Sequence, residues 1–97
     1  MITNETMQAA KDVAEAGCLL SNYYKENGVK NRSVSVCITA GQYPTLRLII
    51  GEFSEDNGAF NMCDTLEILL DDEHKFGNTF EQAAEAIKRE MERVENG

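Results

Sequence analysis

Tryptophan is absent from the chain, and proline and histidine each occur once, at Pro44 and His74. A catalytic nucleophile needs a neighbouring base, and one histidine, set in the acidic polar connection Asp71 to Gly77, gives the cysteines no such partner by pattern. Long apolar runs are missing too. Fragments such as Leu48 to Ile50 fall far short of the roughly 20 residues that cross a bilayer. No basic stretch followed by an apolar one opens the chain, so no export signal is expected and the expected location is the cytoplasm.

The three cysteines, Cys18, Cys37 and Cys63, are odd in number and widely spaced. They match neither a dense disulfide framework nor the C-x-x-C of a zinc site, and are expected to be reduced and mostly buried. Gly51, Gly58 and Gly77 fit neither phosphate-loop nor dinucleotide spacing. The acidic turn Asp56, Asn57 and Gly58 fails the calcium-loop pattern, because setting Gly58 sixth puts Phe53 where the first carboxylate belongs. Cys63, Asp64 and His74 lack a fourth ligand for structural zinc. Paired carboxylates carry no signal in so acidic a chain. No catalytic residue, cofactor or metal is therefore assigned, and a non-enzymatic protein is expected.

Basic residues are few: nine lysines and arginines stand against seventeen acidic residues, a formal net charge of −8. That balance argues against direct contact with nucleic acid or an anionic membrane, both of which need cations on the protein. A basic protein partner is expected instead.

What the chain does contain is a regular succession of periodic segments. Its 97 residues suit a single domain, 1–97, with one core. Met7, Ala10, Ala14, Gly17, Leu20 and Tyr24 recur at helical spacing and predict a helix over 4–26, closed by Asn27 and Gly28. The period then changes to two. Val34, Val36 and Ile38 alternate with Ser33, Ser35, Cys37 and Thr39, predicting a strand over 33–39.

Gly41 and Pro44 turn the chain into a second strand over 45–53, with Leu46, Leu48 and Ile50 toward one face and Arg47, Ile49 and Phe53 toward the other. Asp56, Asn57 and Gly58 signal a hairpin into a third strand from about Ala59. Leu66, Ile68 and Leu70 alternate as in a strand, while Asp64 and Glu67 have the spacing of a helix capping box; the strand reading is preferred to about Leu70. Asn78 and Glu81 repeat the capping signature ahead of a final helix striped by Phe80, Ala83, Ala84, Ile87, Met91 and Val94.

The expected fold class is α+β: a two-layer sandwich in the order αβββα, with both helices packed on one face of a three-stranded antiparallel sheet. Double-stranded RNA-binding domains share this order of elements. The comparison stops at topology, because Phe80, Glu81 and Gln82 open the last helix where a phosphate clamp needs lysines.

Charge is distributed unevenly. Between Leu48 and His74 lie eight acidic residues, Glu52, Glu55, Asp56, Asp64, Glu67, Asp71, Asp72 and Glu73, and no lysine or arginine; the rest of the chain holds nine of each sign. Such segregation suggests an electrostatic footprint for a basic surface, with Glu52, Glu55, Asp56, Asp64, Asp71, Asp72 and Glu73 as partner-binding residues and Tyr43 or Phe60 as anchors.

Duplex DNA carries one charge per ~1.7 Å, so eight carboxylates replace the charge of about 14 Å of duplex, enough for a local DNA mimic that blocks a nuclease or another nucleic-acid-binding enzyme. In size and charge the chain resembles the small acidic inhibitors that phages make against bacterial nucleases, anti-CRISPR proteins among them. The alternative is a homodimeric accessory or structural protein joined through Leu19 and Tyr23, its acidic residues serving solubility alone.

Overall fold

In the computed structural model, which describes residues 1–71 and 77–96, five elements follow one another: α1 (Asn4–Glu26), β1 (Arg32–Thr39), β2 (Thr45–Phe53), β3 (Phe60–Leu69) and α2 (Phe80–Asn96). The strands form one antiparallel sheet in the order β1-β2-β3. α1 packs on β1, α2 on β3, and the helices on each other, so both cover the same sheet face. The expected αβββα two-layer sandwich is the fold.

Local chemistry sets the ends of the helices. The Thr3 hydroxyl accepts from the Thr6 N–H at 3.2 Å and caps α1. At the other end Gly28 takes φ +68°, which a side chain would oppose, and lets the Val29 N–H reach back to the Tyr24 carbonyl at 2.8 Å. For α2 the cap lies one residue later than the Asn78–Glu81 spacing predicts. Thr79 Oγ1 accepts from the Gln82 N–H (3.2 Å), and Gln82 Oε1 accepts from the Thr79 N–H (2.9 Å). The Asn78 side-chain oxygen is instead occupied by the Glu67 N–H at 3.1 Å.

Leu46, Leu48 and Ile50 of β2 are fully buried beneath the helices, each contributing about 1.5–3 kcal/mol by burial. Their neighbours in register are Ile38, Val36 and Val34 on β1, and Ile68, Leu66 and Asp64 on β3. That pairing resolves the ambiguity at 64–70: Leu66 and Ile68 are strand residues aligned with the core of β2. On α1 the buried line is Ala10, Val13, Gly17, Leu20 and Tyr24. Met7 and Ala14 depart from the predicted stripe, because the 100° step per residue turns them onto the flank of the helix; Met7 is exposed and Ala14 half-buried.

Alternation breaks once, on β3. The register shifts between Ile50 and Gly51, so that Asp64 faces Ile50, Met62 faces Gly51, and Cys63 is the extra residue of a bulge. Beyond it Phe60 and Met62 share the uncovered sheet face with Gly51 and Phe53. The Phe60 ring lies over Gly51: a Cβ at that glycine would sit 2.2 Å from the ring and 2.7 Å from the Asn61 carbonyl oxygen. Gly51→Ala is therefore expected to lower stability by about 1–3 kcal/mol, read as an earlier urea midpoint at unchanged m-value.

The cysteines correct the sequence reading. All three are free, as expected, but exposed rather than buried. Cys18 lies exposed on the flank of α1 beside β1, Cys37 has the parity of the uncovered sheet face, and Cys63 is displaced by the bulge.

Candidate functional site

The β2–β3 hairpin carries the candidate site. Its tip is closed by the Ser54 N–H on the Ala59 carbonyl (2.8 Å), the Gly58 N–H on the Ser54 carbonyl (2.9 Å) and the Ala59 N–H on the Asn57 side chain (2.9 Å). Glu55 and Asp56 stand exposed on this turn and form no ion pair among the described residues. Immediately behind them, on the uncovered sheet face, Phe53 and Phe60 stack with ring centroids 5.0 Å apart and tilted by 51°. Met62, 64% exposed, extends the apolar surface. The site thus sets two exposed carboxylates beside an exposed aromatic and thioether surface.

The remaining predicted acidic residues are dispersed. Glu52 is half-buried, accepts from Asn31 Nδ2 at 2.9 Å and lies 3.8 Å from Arg32 Nη1, so its charge is largely answered within the chain. Asp64 points toward the helix layer and is half-buried. Glu67 faces Arg47 at 3.7 Å on the open face. Asp71 lies 3.1 Å from the Met1 amine, beyond the far end of β3. Nine residue steps of strand, about 30 Å, separate that end from the tip. Asp72, Glu73 and His74 lie outside the described residues.

Of the two predicted anchors, Phe60 is at the hairpin, whereas Tyr43 is in the turn between β1 and β2, at the opposite end of the sheet. Leu19 is 56% exposed, and the Tyr23 hydroxyl donates to Glu95 of α2 at 3.0 Å, spanning the ends of the two helices.

Beneath the hairpin sits a cluster that the sequence reading missed. Glu90 of α2 is only 5% exposed, yet its carboxylate is shared by three donors. The Tyr24 hydroxyl donates to Oε1 at 2.7 Å, Arg32 Nε donates to the same oxygen, and Arg32 Nη2 donates to Oε2 at 3.0 Å. Burial alone would push the Glu90 carboxyl up; the guanidinium and the phenol outweigh it and hold the carboxyl below the usual range. Burial, with the hydrogen bond to Glu90, raises the Tyr24 hydroxyl well above its ordinary value. Burial also opposes the charge on Arg32, but Glu90 more than compensates and keeps it protonated.

The cluster therefore locks α1, β1 and α2 together rather than offering a reactive group. Its only available signal was negative: Glu90 falls within the predicted apolar stripe between Ile87 and Val94, where an acid should not be. Among the described residues no three His, Cys, Asp or Glu side chains are grouped to hold a metal ion, and no helix is long and apolar enough to cross a membrane. The chain matches no protein-family model, no curated protein and no solved structure.

Proposed function

We propose that this chain is a non-enzymatic binding domain, an inhibitor whose acidic β2–β3 hairpin occupies a basic surface of a nucleic-acid-binding enzyme in the manner of a DNA mimic. The observation that carries this reading is the juxtaposition at the hairpin: the carboxylates of Glu55 and Asp56, in no ion pair among the described residues, border the exposed aromatic pair Phe53 and Phe60. The carboxylates steer a cationic partner, and the aromatic centre supplies the contact that is desolvated on docking. Both carboxylates belong to the stretch between Leu48 and His74 that holds eight acidic residues and no lysine or arginine.

A pull-down from bacterial lysate at about 0.05 M and about 1 M salt tests it, the Debye length falling to about 3 Å at the higher value. The expected outcome is capture of a basic nucleic-acid-binding protein at low salt, displaced by duplex DNA and released at high salt. Glu55→Gln with Asp56→Asn is expected to weaken that complex about three- to tenfold, and Phe60→Ala about thirtyfold. A binding profile unaltered by these variants and by salt would reject the reading. Salt-insensitive self-association would favour the homodimer through Leu19 and Tyr23, a reading supported by the exposure of Leu19.

A further inference from the structure

The two edges of the sheet are treated differently by the chain. The Phe53 N–H donates to the Asn31 carbonyl at 2.7 Å, so the odd-numbered residues of β1 face their backbone groups toward β2. Val34, Val36 and Ile38 accordingly direct their N–H and C=O groups outward, and among the described residues no strand pairs with that side. The outer edge of β3 is blunted by the Cys63 bulge, by Asp64 and Glu67, and by Asn78, whose N–H caps the Glu67 carbonyl at 2.9 Å. From Ser33 to Thr39, β1 has no charge, proline or bulge.

Beside this open edge runs a groove. Ala14, Gly17, Cys18 and Ser21 of α1 line, with Val34 and Val36, a hollow of about 260 Å³; at its floor Gly17 lets Val36 pack against the helix, where a Cβ would sit 2.8 Å from the valine side chain. At Ser21 and Val34 the groove continues into a second hollow of about 430 Å³ that reaches Lys25 and Lys30. Neither lysine forms an ion pair among the described residues. In a chain of net charge −8, this is a local cationic pocket at the N-terminal end of β1.

Direction then identifies the occupant. A strand added antiparallel to β1 brings its own C-terminal end beside Arg32, and so to Lys25 and Lys30. We infer that the β1 edge binds an extended peptide segment of a partner protein, antiparallel, with alternate apolar side chains in the α1 groove and an acidic C-terminal end at Lys25 and Lys30.

A second copy of this chain fits poorly. Antiparallel edge pairing would place both helix layers on the same side with strands ~4.8 Å apart, whereas packed helices need about 8–10 Å and α1 already rests on β1. A lone strand carries no helix. This surface is separate from the acidic hairpin, and its test does not depend on the inhibitor reading.

The probes are synthetic hexapeptides with valine or leucine at alternate positions, ending in Asp or Glu, each made with a free and an amidated C-terminus, beside a set ending in Lys. Fluorescence anisotropy ranks them, and amide hydrogen exchange maps the best. Free-acid, acid-ended peptides are expected to bind tightest and to slow exchange at Val34, Val36 and Ile38. Lys25→Gln with Lys30→Gln is expected to weaken them about fivefold while leaving Lys-ended peptides unchanged. Cys18→Trp, at an exposed position, is expected to fill the groove and abolish binding with the thermal midpoint retained.

No protection of those three amides by any probe at about 1 mM would overturn the proposal. So would equal affinity for acid- and Lys-ended peptides, or protection of the edge by self-association without peptide.

Discussion

Glu90→Gln is expected to lower folding stability by about 3 kcal/mol, because it leaves the buried Arg32 guanidinium with only the longer, 3.8 Å contact to Glu52 as counter-charge. The Arg32 side chain is only 6% exposed, so solvent cannot take over the role of the carboxylate. For a chain of 97 residues that loss corresponds to a thermal midpoint lower by about 15 °C or more. Arg32→Met combined with Glu90→Leu and Tyr24→Phe should recover most of it, since packed apolar side chains avoid the desolvation that the ion pair must offset and leave no buried hydroxyl without its acceptor.

The pH dependence follows from the direction of the Glu90 shift. Its carboxyl is held below the unfolded value of about 4.3, so the contribution is complete above that pH and is lost as pH falls toward the folded value. Wild-type stability should therefore decline in acid below about pH 4 more steeply than that of Glu90→Gln. Denaturant titrations at neutral and acid pH measure both slopes. Equal stability of variant and wild type at neutral pH would mean that the cluster is not a lock.

Leu48→Ala is expected to cost about 2–5 kcal/mol, whereas Ile49→Ala, one residue on, should cost about 1 kcal/mol. Leu48 is fully buried between the helices and the centre of the sheet, with Val36 and Leu66 as its strand neighbours. Ile49 is half-buried on the uncovered face, where truncation exposes little that was dry. The pair tests the layering directly, since the two side chains differ by a methyl position and by the face they occupy. Similar losses at both would mean that the second face is covered in solution, by another copy or another protein.

The core layer was legible because the apolar periods agree with one another. Leu46, Leu48 and Ile50 alternate, and so do Val34, Val36 and Ile38; two antiparallel strands in register then place all six on the helix side of the sheet, where only Ile38, at the end of the edge strand, stays exposed. The C-terminal closure of α1 at Asn27 and Gly28 was equally plain, since positive φ at a helix end selects glycine.

The candidate site was legible only in part. Glu55 and Asp56 fall where an Asn-Gly turn puts them, but the grouping of all seven carboxylates depends on distance in space, which composition cannot convey. Asp71 is consequently a strand's length from the tip and in contact with the Met1 amine. Glu90 and Arg32 were hidden for another reason: a buried ion pair reverses the polarity that each residue type shows on average, and its partners come from segments 58 residues apart.

The Cys63 bulge makes the chemistry of a sheet face depend on residue count as well as residue type. On β3, even-numbered Leu66 and Ile68 face the helices, while even-numbered Phe60 and Met62 face away; one supernumerary residue separates the two conventions. Unbroken alternation over the same residues would pair Cys63 with Gly51 and turn Phe60 and Met62 inward, sending Asn61 and Cys63 out in their place; the extra residue absorbed at the bulge keeps both apolar side chains opposite Gly51 and Phe53. Without the bulge the hairpin's contact surface would change from aromatic to amide and thiol with every side chain retained, so the bulge is itself a determinant of what the hairpin can recognise.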